Sequence, residues 1–334
     1  MNLIVSEIKI PFSDHLYIGE TTEDEYVDCR SCDGCRTAMT PIARVLNESG
    51  KVGLETGFCP KCGYTKRTRS LSPMSFSLHF SKKWLIKRNE QVKAEKYVFS
   101  KVKNYISLEG RVLDVGCGLG GSLLPFQTAG YDVFGIEPSE HRATLGRELI
   151  DGIQVGFAED YLKNQDVGKF DLIYFFNVLQ FLQNPFEALR LAVNKLTDNG
   201  LIYFRVGTFH KKANFFQYSH LPSLRNQLSV TSIVNALADW DMRIIYYQSD
   251  PMEVILKRKN SESPKLLQGF SPVSLMEIEA YARRTLKYNR LRLLGKANLD
   301  YAGRRISLML KRPVHEILPV CFFHRKDKIP LIFK

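Results

Sequence analysis

The chain lacks any hydrophobic run long enough to cross a bilayer. Its longest nearly unbroken apolar stretch, Leu172 to Leu182, is interrupted by Asn177 and Gln180 and falls well short of the roughly 20 residues a spanning helix needs. The first ten residues, Met-Asn-Leu-Ile-Val-Ser-Glu-Ile-Lys-Ile, have no basic start, apolar centre and small-residue cleavage site. That argues against a secretory leader and for a cytoplasmic protein. Internal repeats and low-complexity tracts are missing too, which excludes a repeat array. Net charge is absent from most of the chain. Residues 257–334 hold 18 Lys/Arg and 6 Asp/Glu, against 29 of each in the other 256 residues, so the last quarter carries the whole formal charge of +12. Such asymmetry suggests an anionic partner, with a merely solvated helical face as the plainer alternative. At 334 residues the chain is long enough for two or three units, each able to bury a core.

What is present is concentrated in three places. The first is Arg111-Val-Leu-Asp-Val-Gly-Cys-Gly-Leu-Gly-Gly121. Val112, Leu113 and Val115 read as a buried parallel strand. Glycines follow at 116, 118, 120 and 121, then Ser122-Leu123-Leu124, read as a helix start. Glycine permits a tight turn and the close approach of a ligand, and a helix N-terminus beyond it would favour an anionic group. Gly116, Gly118 and Gly121 also satisfy the weak dinucleotide pattern G-x-G-x-x-G.

Three neighbours discriminate between these readings. Asp114 lies inside the strand, where a dinucleotide-binding strand is normally apolar. A second strand, Tyr131 to Ile136, ends in Glu137-Pro138, about 20 residues beyond the loop, where an acid can receive ribose hydroxyls. Lys169-Phe-Asp-Leu-Ile-Tyr-Phe-Phe-Asn-Val-Leu-Gln-Phe181 sits at the spacing of strand four, with Phe170-Asp171-Leu-Ile173 at its head. Together these segments resemble the class I S-adenosylmethionine-dependent methyltransferases over residues 95–258. Strands are expected near 111–116, 132–138, 153–158, 170–178 and 200–207. A helix is expected near 229–239, and a terminal hairpin turning at Ser249-Asp250-Pro251. The fold class is therefore α/β: a doubly wound, mostly parallel, seven-stranded sheet. A helical linker, Lys82 to Ile106, leads into it.

The resemblance implies S-adenosylmethionine as cofactor. It implies that Gly116, Gly118 and Gly120 line its methionine part and that Asp114 orders the loop. Glu137 would bind the ribose hydroxyls, Phe157-Ala158-Glu159 would flank the adenine, and Asn177 and Val178 would border the methionine tail. Phe157 stands where the family often has an adenine-binding Asp, which shifts that contact to backbone groups or to Glu159. Many relatives carry Glu-His where this chain has Gln180-Phe181. Phenylalanine cannot remove a proton, so a base must come from elsewhere. His210, after strand five, and His220, in the insertion that follows, are the catalytic candidates.

The second concentration is cysteine. Cys29-Arg-Ser-Cys32-Asp-Gly-Cys35 is followed after 23 residues by Cys59-Pro-Lys-Cys62-Gly63. Paired CxxC knuckles let four thiolates converge on structural zinc. The first knuckle is ambiguous, since Cys29/Cys32 and Cys32/Cys35 both fit. The reading leans to Cys29 and Cys32, with Cys35 spare, because Asp33-Gly34 can turn after the second ligand. Cys117 reads as a small buried hydrophobe, and Cys321 with His315 and His324 as a weak second metal candidate. The third concentration is the basic segment, with a helix over 274–294 carrying Arg283, Arg284, Lys287, Arg290 and Arg292.

Three units are expected: a zinc ribbon at 1–80, a methyltransferase domain at 81–258 and a basic C-terminal helical extension at 259–334. A ribbon joined to such a domain resembles two groups, sugar or small-metabolite methyltransferases and ribosomal-RNA guanine methyltransferases. The first reading is a small polar acceptor, such as a sugar, a nucleotide-linked sugar or a natural-product intermediate, with or without phosphate. The alternative is RNA, gripped by ribbon and tail. Asn177-Val-Leu-Gln180 argues against RNA, because it is not the Asn/Asp-Pro-Pro-aromatic motif with which many enzymes stack a base. A non-catalytic scaffold is the third reading, opposed by the intact glycine loop and Glu137.

Overall fold

Apolar residues alternate along the strands in two sets, and the two sets build two cores. In the computed structural model, which describes residues 6–9, 26–46, 52–72, 95–107, 109–207, 224–237, 239–249 and 251–259, Leu113, Ile173, Phe175, Ile202 and Phe204 belong to one cluster. Their strand neighbours Val112, Leu172, Tyr174, Leu201 and Tyr203 belong to the other. This is the period of two that a sheet covered on both faces requires.

The N-terminal strands are β1 (Ser6–Lys9), β2 (Tyr26–Asp28), β3 (Thr40–Leu46), β4 (Val52–Phe58) and β5 (Thr65–Leu71). After α1 (Tyr97–Val102) the chain alternates: β6 (Arg111–Val115), α2 (Leu124–Thr128), β7 (Asp132–Glu137), α3 (Glu140–Arg147), β8 (Ile153–Val155), α4 (Ala158–Lys163), β9 (Phe170–Phe176), a 3₁₀ turn (Leu179–Phe181), α5 (Pro185–Asn194) and β10 (Leu196–Val206). Then come β11 (Asn226–Gln227), α6 (Val230–Leu237), β12 (Met242–Ser249) and β13 (Met252–Arg258).

The main sheet has seven strands in the order β12-β13-β10-β9-β6-β7-β8. Strands β8, β7, β6, β9 and β10 are parallel, and β13 and β12 close one edge antiparallel. The order reverses between β6 and β9, and open α/β sheets bind their ligands beyond the strand ends at such a switch point. The expected fold class is what the structure shows.

Local details differ from expectation for identifiable reasons. Residues 119–123 form turns, and α2 begins only at Leu124. Ser122 turns inward, where its hydroxyl hydrogen-bonds the Asp114 carboxylate. Strand β8 stops at Val155, because Phe157 already holds the N-cap position of α4. The helical linker is described only from Glu95 onward, with helix at Tyr97–Val102.

The N-terminal sheet runs β1-β3-β4-β5-β11, with β2 also on β5. Its last strand comes from beyond β10: Asn226 pairs with Lys66 and Gln227 with Thr65. The cores merge as well. Cys32, Cys59, Cys62 and Tyr64 are fully buried in the same cluster as Leu189, Phe204 and Val254. Tyr64 meets Phe186 of α5 edge-to-face, with ring centroids 5.1 Å apart, and a Cβ on Gly34 would lie 3.1 Å from that Phe186 ring. The cysteine ribbon is thus packed onto the loop and helix that follow β9. Among the described residues no helix is long and apolar enough to cross a membrane. The segment 260–334, with its expected helix, and Cys321, His315 and His324 lie outside the described residues.

Candidate functional site

Asp114 is the first residue whose placement needs explaining. It faces the same side of the sheet as Tyr174, its register partner on β9. The Tyr174 hydroxyl donates to Ser122 Oγ at 3.1 Å, and Ser122 in turn donates to Asp114. The chain Tyr174–Ser122–Asp114 ties the glycine loop back to the strand that launches it. Burial pushes the Asp114 carboxyl up to about 7, against the pull of the Ser122 hydrogen bond. A fully desolvated carboxylate beside acidic neighbours behaves this way.

The loop takes three left-handed glycines, Gly116, Gly118 and Gly120, with φ of +75°, +60° and +77°. A Cβ at Gly116 would fall 2.5 Å from Val178 Cγ2, and one at Gly118 would fall 2.7 Å from an Arg142 guanidinium nitrogen. Glu137, at the end of β7, spans the loop with its carboxylate. Gly118 N donates to Oε2 and Ser139 N to Oε1, both at 3.0 Å. Burial raises the Glu137 carboxyl, while the Arg142 charge and the two N–H donors oppose that rise.

Beside these residues lies a cavity of about 620 Å³. Gly116, Glu137, Ala158, Glu159, Asn177 and Val178 line it, on the ends of β6, β7 and β9 and the start of α4. Asp114, Gly118 and Gly120 do not; they shape the loop from behind, and Gly120 packs toward Ile150 and Ile153. Burial also raises the Glu159 carboxyl. A mostly pre-formed cleft of this size suits a nucleoside-sized cofactor with room for a small second molecule.

Asn177 forms the far wall in a left-handed conformation, φ +58°. Its backbone N donates to Arg205 O at 2.9 Å, and Arg205 Nη1 donates to its side-chain oxygen at 3.1 Å. Arg205 itself rests against the fully buried Glu253, 3.4 Å from Nε to Oε1, and over the Phe176 ring. Strained backbone of this kind persists where its surroundings over-determine it. Gln180, which stands where relatives often carry an acid, donates to Asn177 O at 2.8 Å and so braces the turn.

Several lining residues escaped the sequence reading: Arg142, Gln183, Asn184 and Arg225. Arg142 follows the Ser139 cap of α3 and lies over Gly118, a placement that only the loop's curvature creates. The pair Gln183-Asn184 was legible only as the cap before Pro185, where Asn184 accepts from Glu187 N at 3.0 Å. The candidate bases His210 and His220 lie outside the described residues.

The cysteine centre gathers Cys32, Cys35, Cys59 and Cys62, with all four sulfurs within 4.8 Å of one another. This corrects the expectation that Cys29 is a ligand and Cys35 spare. The two knuckles repeat one design. Arg36 N donates to Cys32 O at 2.8 Å, and Gly63 N donates to Cys59 O at 2.9 Å. Arg36 and Gly63 both take positive φ, +62° and +72°. An arginine in that conformation hid the first turn, since glycine is the residue that ordinarily announces it. Cys29 instead receives Lys66 Nζ at 3.1 Å, and that ammonium also pairs with Asp33 at 2.7 Å.

The four sulfurs fit a metal. Thiolates about 2.3 Å from one zinc ion stand roughly 3.8 Å apart. The Cys32–Cys62, Cys35–Cys59 and Cys35–Cys62 separations are 3.6, 3.4 and 3.8 Å.

Strand order, glycine loop, Glu137 and cavity together define a cofactor-binding α/β domain. Comparison with known proteins names the class. Residues 87–245, just under half of the chain, match the family model of a methyltransferase domain. Among curated proteins it is similar to a ubiquinone biosynthesis O-methyltransferase of Bordetella avium, 28% identical over 118 residues, or 33% of this chain and 48% of that protein. The corresponding enzyme of Glaesserella parasuis is 28% identical over 117 residues, or 32% and 48%. The chain thus spans about half the length of the curated relatives it matches. Similar solved structures include a SAM-dependent methyltransferase from Methanosarcina mazei (15% identity, 47% of this chain and 96% of that one, TM-score 0.40). Another is a SAM-dependent methyltransferase from Thermotoga maritima, described as a possible histamine N-methyltransferase (18% identity, 56% and 97%, TM-score 0.39).

Proposed function

We propose that this chain transfers a methyl group from S-adenosylmethionine to a small polar acceptor. The observation that carries the reading is the cavity itself. It is closed on one wall by Glu137 and on the other by the strained Asn177, at the sheet's switch point. When bound, the cofactor supplies a methyl group activated on a sulfonium sulfur. Gly116 leaves the backbone clear for close approach. Glu137 keeps lone pairs for ribose hydroxyls beyond the two N–H groups it already accepts. The first turn of α4 offers Ala158 and Glu159 to the adenine edge. Asn177, held by Arg205, fixes the opposite end, so donor and acceptor are presented in line with water displaced.

Methyl transfer to a hydroxyl or amine acceptor would release that group's proton, and His210 and His220 are the candidates to receive it. The curated relatives are named O-methyltransferases, so hydroxyl acceptors come first among those to test. A sugar or nucleotide-linked sugar heads that panel. The four-cysteine centre would hold zinc in a structural role, because four thiolates leave no open position.

Calorimetry with S-adenosylhomocysteine tests the reading. The wild-type protein should bind it at micromolar concentration and gain thermal stability, and Glu137→Ala should abolish both. Absence of binding by the folded wild-type protein would sink the cofactor assignment.

A further inference from the structure

The ribbon does more at its contact with the methyltransferase domain than cover apolar surface. Between them lies a second cavity of about 220 Å³, lined by ribbon residues on one side and by Gln183, Asn184, Arg225 and Asn226 on the other. Gln183, Asn184 and Arg225 also line the larger cavity, so the two share a wall.

The chemistry of the small cavity is cationic. Lys66, Arg67 and Arg225 line it, with Asp33 as its carboxylate. All three cations are buried. Arg225 joins the two units: its backbone carbonyl accepts from Arg67 N at 2.8 Å, and its backbone N donates to Gln180 O at 2.7 Å. Its guanidinium donates to the Gln183 side-chain oxygen, to Ser70 Oγ at 3.3 Å and to Ser72 O at 3.4 Å. Burial, and next the positive charge of Arg67, pull Arg225 down to about 10. Two buried guanidinium groups that line one cavity are stabilised together by one anion placed between them.

We propose that this seam is a subsite for the phosphate of a phosphate-bearing small-molecule acceptor, whose remainder reaches the cofactor cavity past Gln183 and Asn184. The inference rests on the methyltransferase reading and gives its substrate a chemical class. A phosphate monoester fits better than a carboxylate. It brings about two charges and three acceptor oxygens, which suit a cavity lined by two arginines and a lysine. A volume of this size holds one such group and not a nucleic-acid backbone. It also gives the ribbon a part in substrate binding.

The test uses the full-length, metal-loaded protein with inorganic phosphate as probe, at constant ionic strength. Phosphate should bind saturably and raise the melting temperature, and acetate at the same concentration should not. Arg67→Gln should weaken phosphate binding at least tenfold. Ser70→Asp sets a carboxylate against Arg225, fills the subsite from within and should abolish phosphate binding in a protein that still folds. S-adenosylhomocysteine affinity should stay within twofold in Ser70→Asp, because Ser70 does not line the cofactor cavity; this separates failure of the subsite from failure of the methyltransferase reading. Equal phosphate binding by wild type and Ser70→Asp would overturn the proposal. So would an acetate response equal to that of phosphate, or binding of an RNA oligonucleotide at the seam without any binding of phosphate.

Discussion

Replacing Gly116 by alanine tests the cofactor loop most directly, because two separable costs meet at one atom. The residue has φ +75°, a region an L side chain enters at about 1–2 kcal/mol. Its new Cβ would also stand 2.5 Å from Val178 Cγ2 and 3.1 Å from Val178 Cβ. Val178 is branched at Cβ and stiff at χ1, so the collision adds an overpacking cost of about 1–3 kcal/mol. Gly130→Ala supplies the control: it has φ +89° with nothing within 4 Å of the new Cβ, so it carries the backbone cost alone. Urea unfolding should therefore rank Gly130→Ala as mildly and Gly116→Ala as strongly destabilised, by about 2–5 kcal/mol in the second case. Adding Val178→Ala to Gly116→Ala should return the collision part and leave the backbone part. S-adenosylhomocysteine affinity should follow the same order, since Gly116 and Val178 both line the cavity. If Gly116→Ala is no worse than Gly130→Ala, or Val178→Ala rescues nothing, the close packing of loop against Asn177-Val178 is wrong.

Two further predictions follow from buried groups. Metal analysis of purified protein should give one zinc ion per chain, retained in Cys29→Ser and lost in Cys35→Ser; the reverse pattern would restore Cys29 to the ligand set. The Asp114 carboxyl stands near 7 in the folded protein against about 3.9 when unfolded. The folded state therefore holds the extra proton between those values, and this group makes stability fall as pH rises from about 4 to 7. Asp114→Asn, which keeps an acceptor for Ser122, should remove that slope, an effect on the order of 4 kcal/mol across the window. An unchanged pH profile in chemical denaturation would refute it.

Much of the site was legible from residue type and order. Asp114, the glycines, Glu137 and Phe170-Asp171 are local signals, because each marks a strand end whose chemistry is set by its immediate neighbours. Asp171 proves to be a brace: it accepts from Arg111 N at 2.8 Å and from Thr197 Oγ1 at 2.9 Å, locking β9 to both flanking strands. The choice between Cys29 and Cys35 was not legible. It turned on Arg36 adopting a left-handed conformation that its side chain does not advertise. Nor could the wall made by Arg142 and Arg225 be read, since each reaches the cavity across a separation in sequence that no periodicity spans.

The sequence alone determined the alternating α/β order, the strand-end acid, the glycine turn and the presence of two cysteine knuckles. All of these are short-range: strand periodicity, backbone freedom at glycine and ligand spacing act within a few residues. The tertiary structure decided which cysteine stands aside and that β11 completes the ribbon's sheet. It also decided that Asn177 is held by Arg205, and that Lys66, Arg67 and Arg225 line one cavity with Gln183 and Asn184. Those outcomes depend on charge, burial and hydrogen bonds between segments separated in sequence, from 28 residues for Asn177 and Arg205 to 155 for Ser70 and Arg225, and only the folded chain brings them within reach.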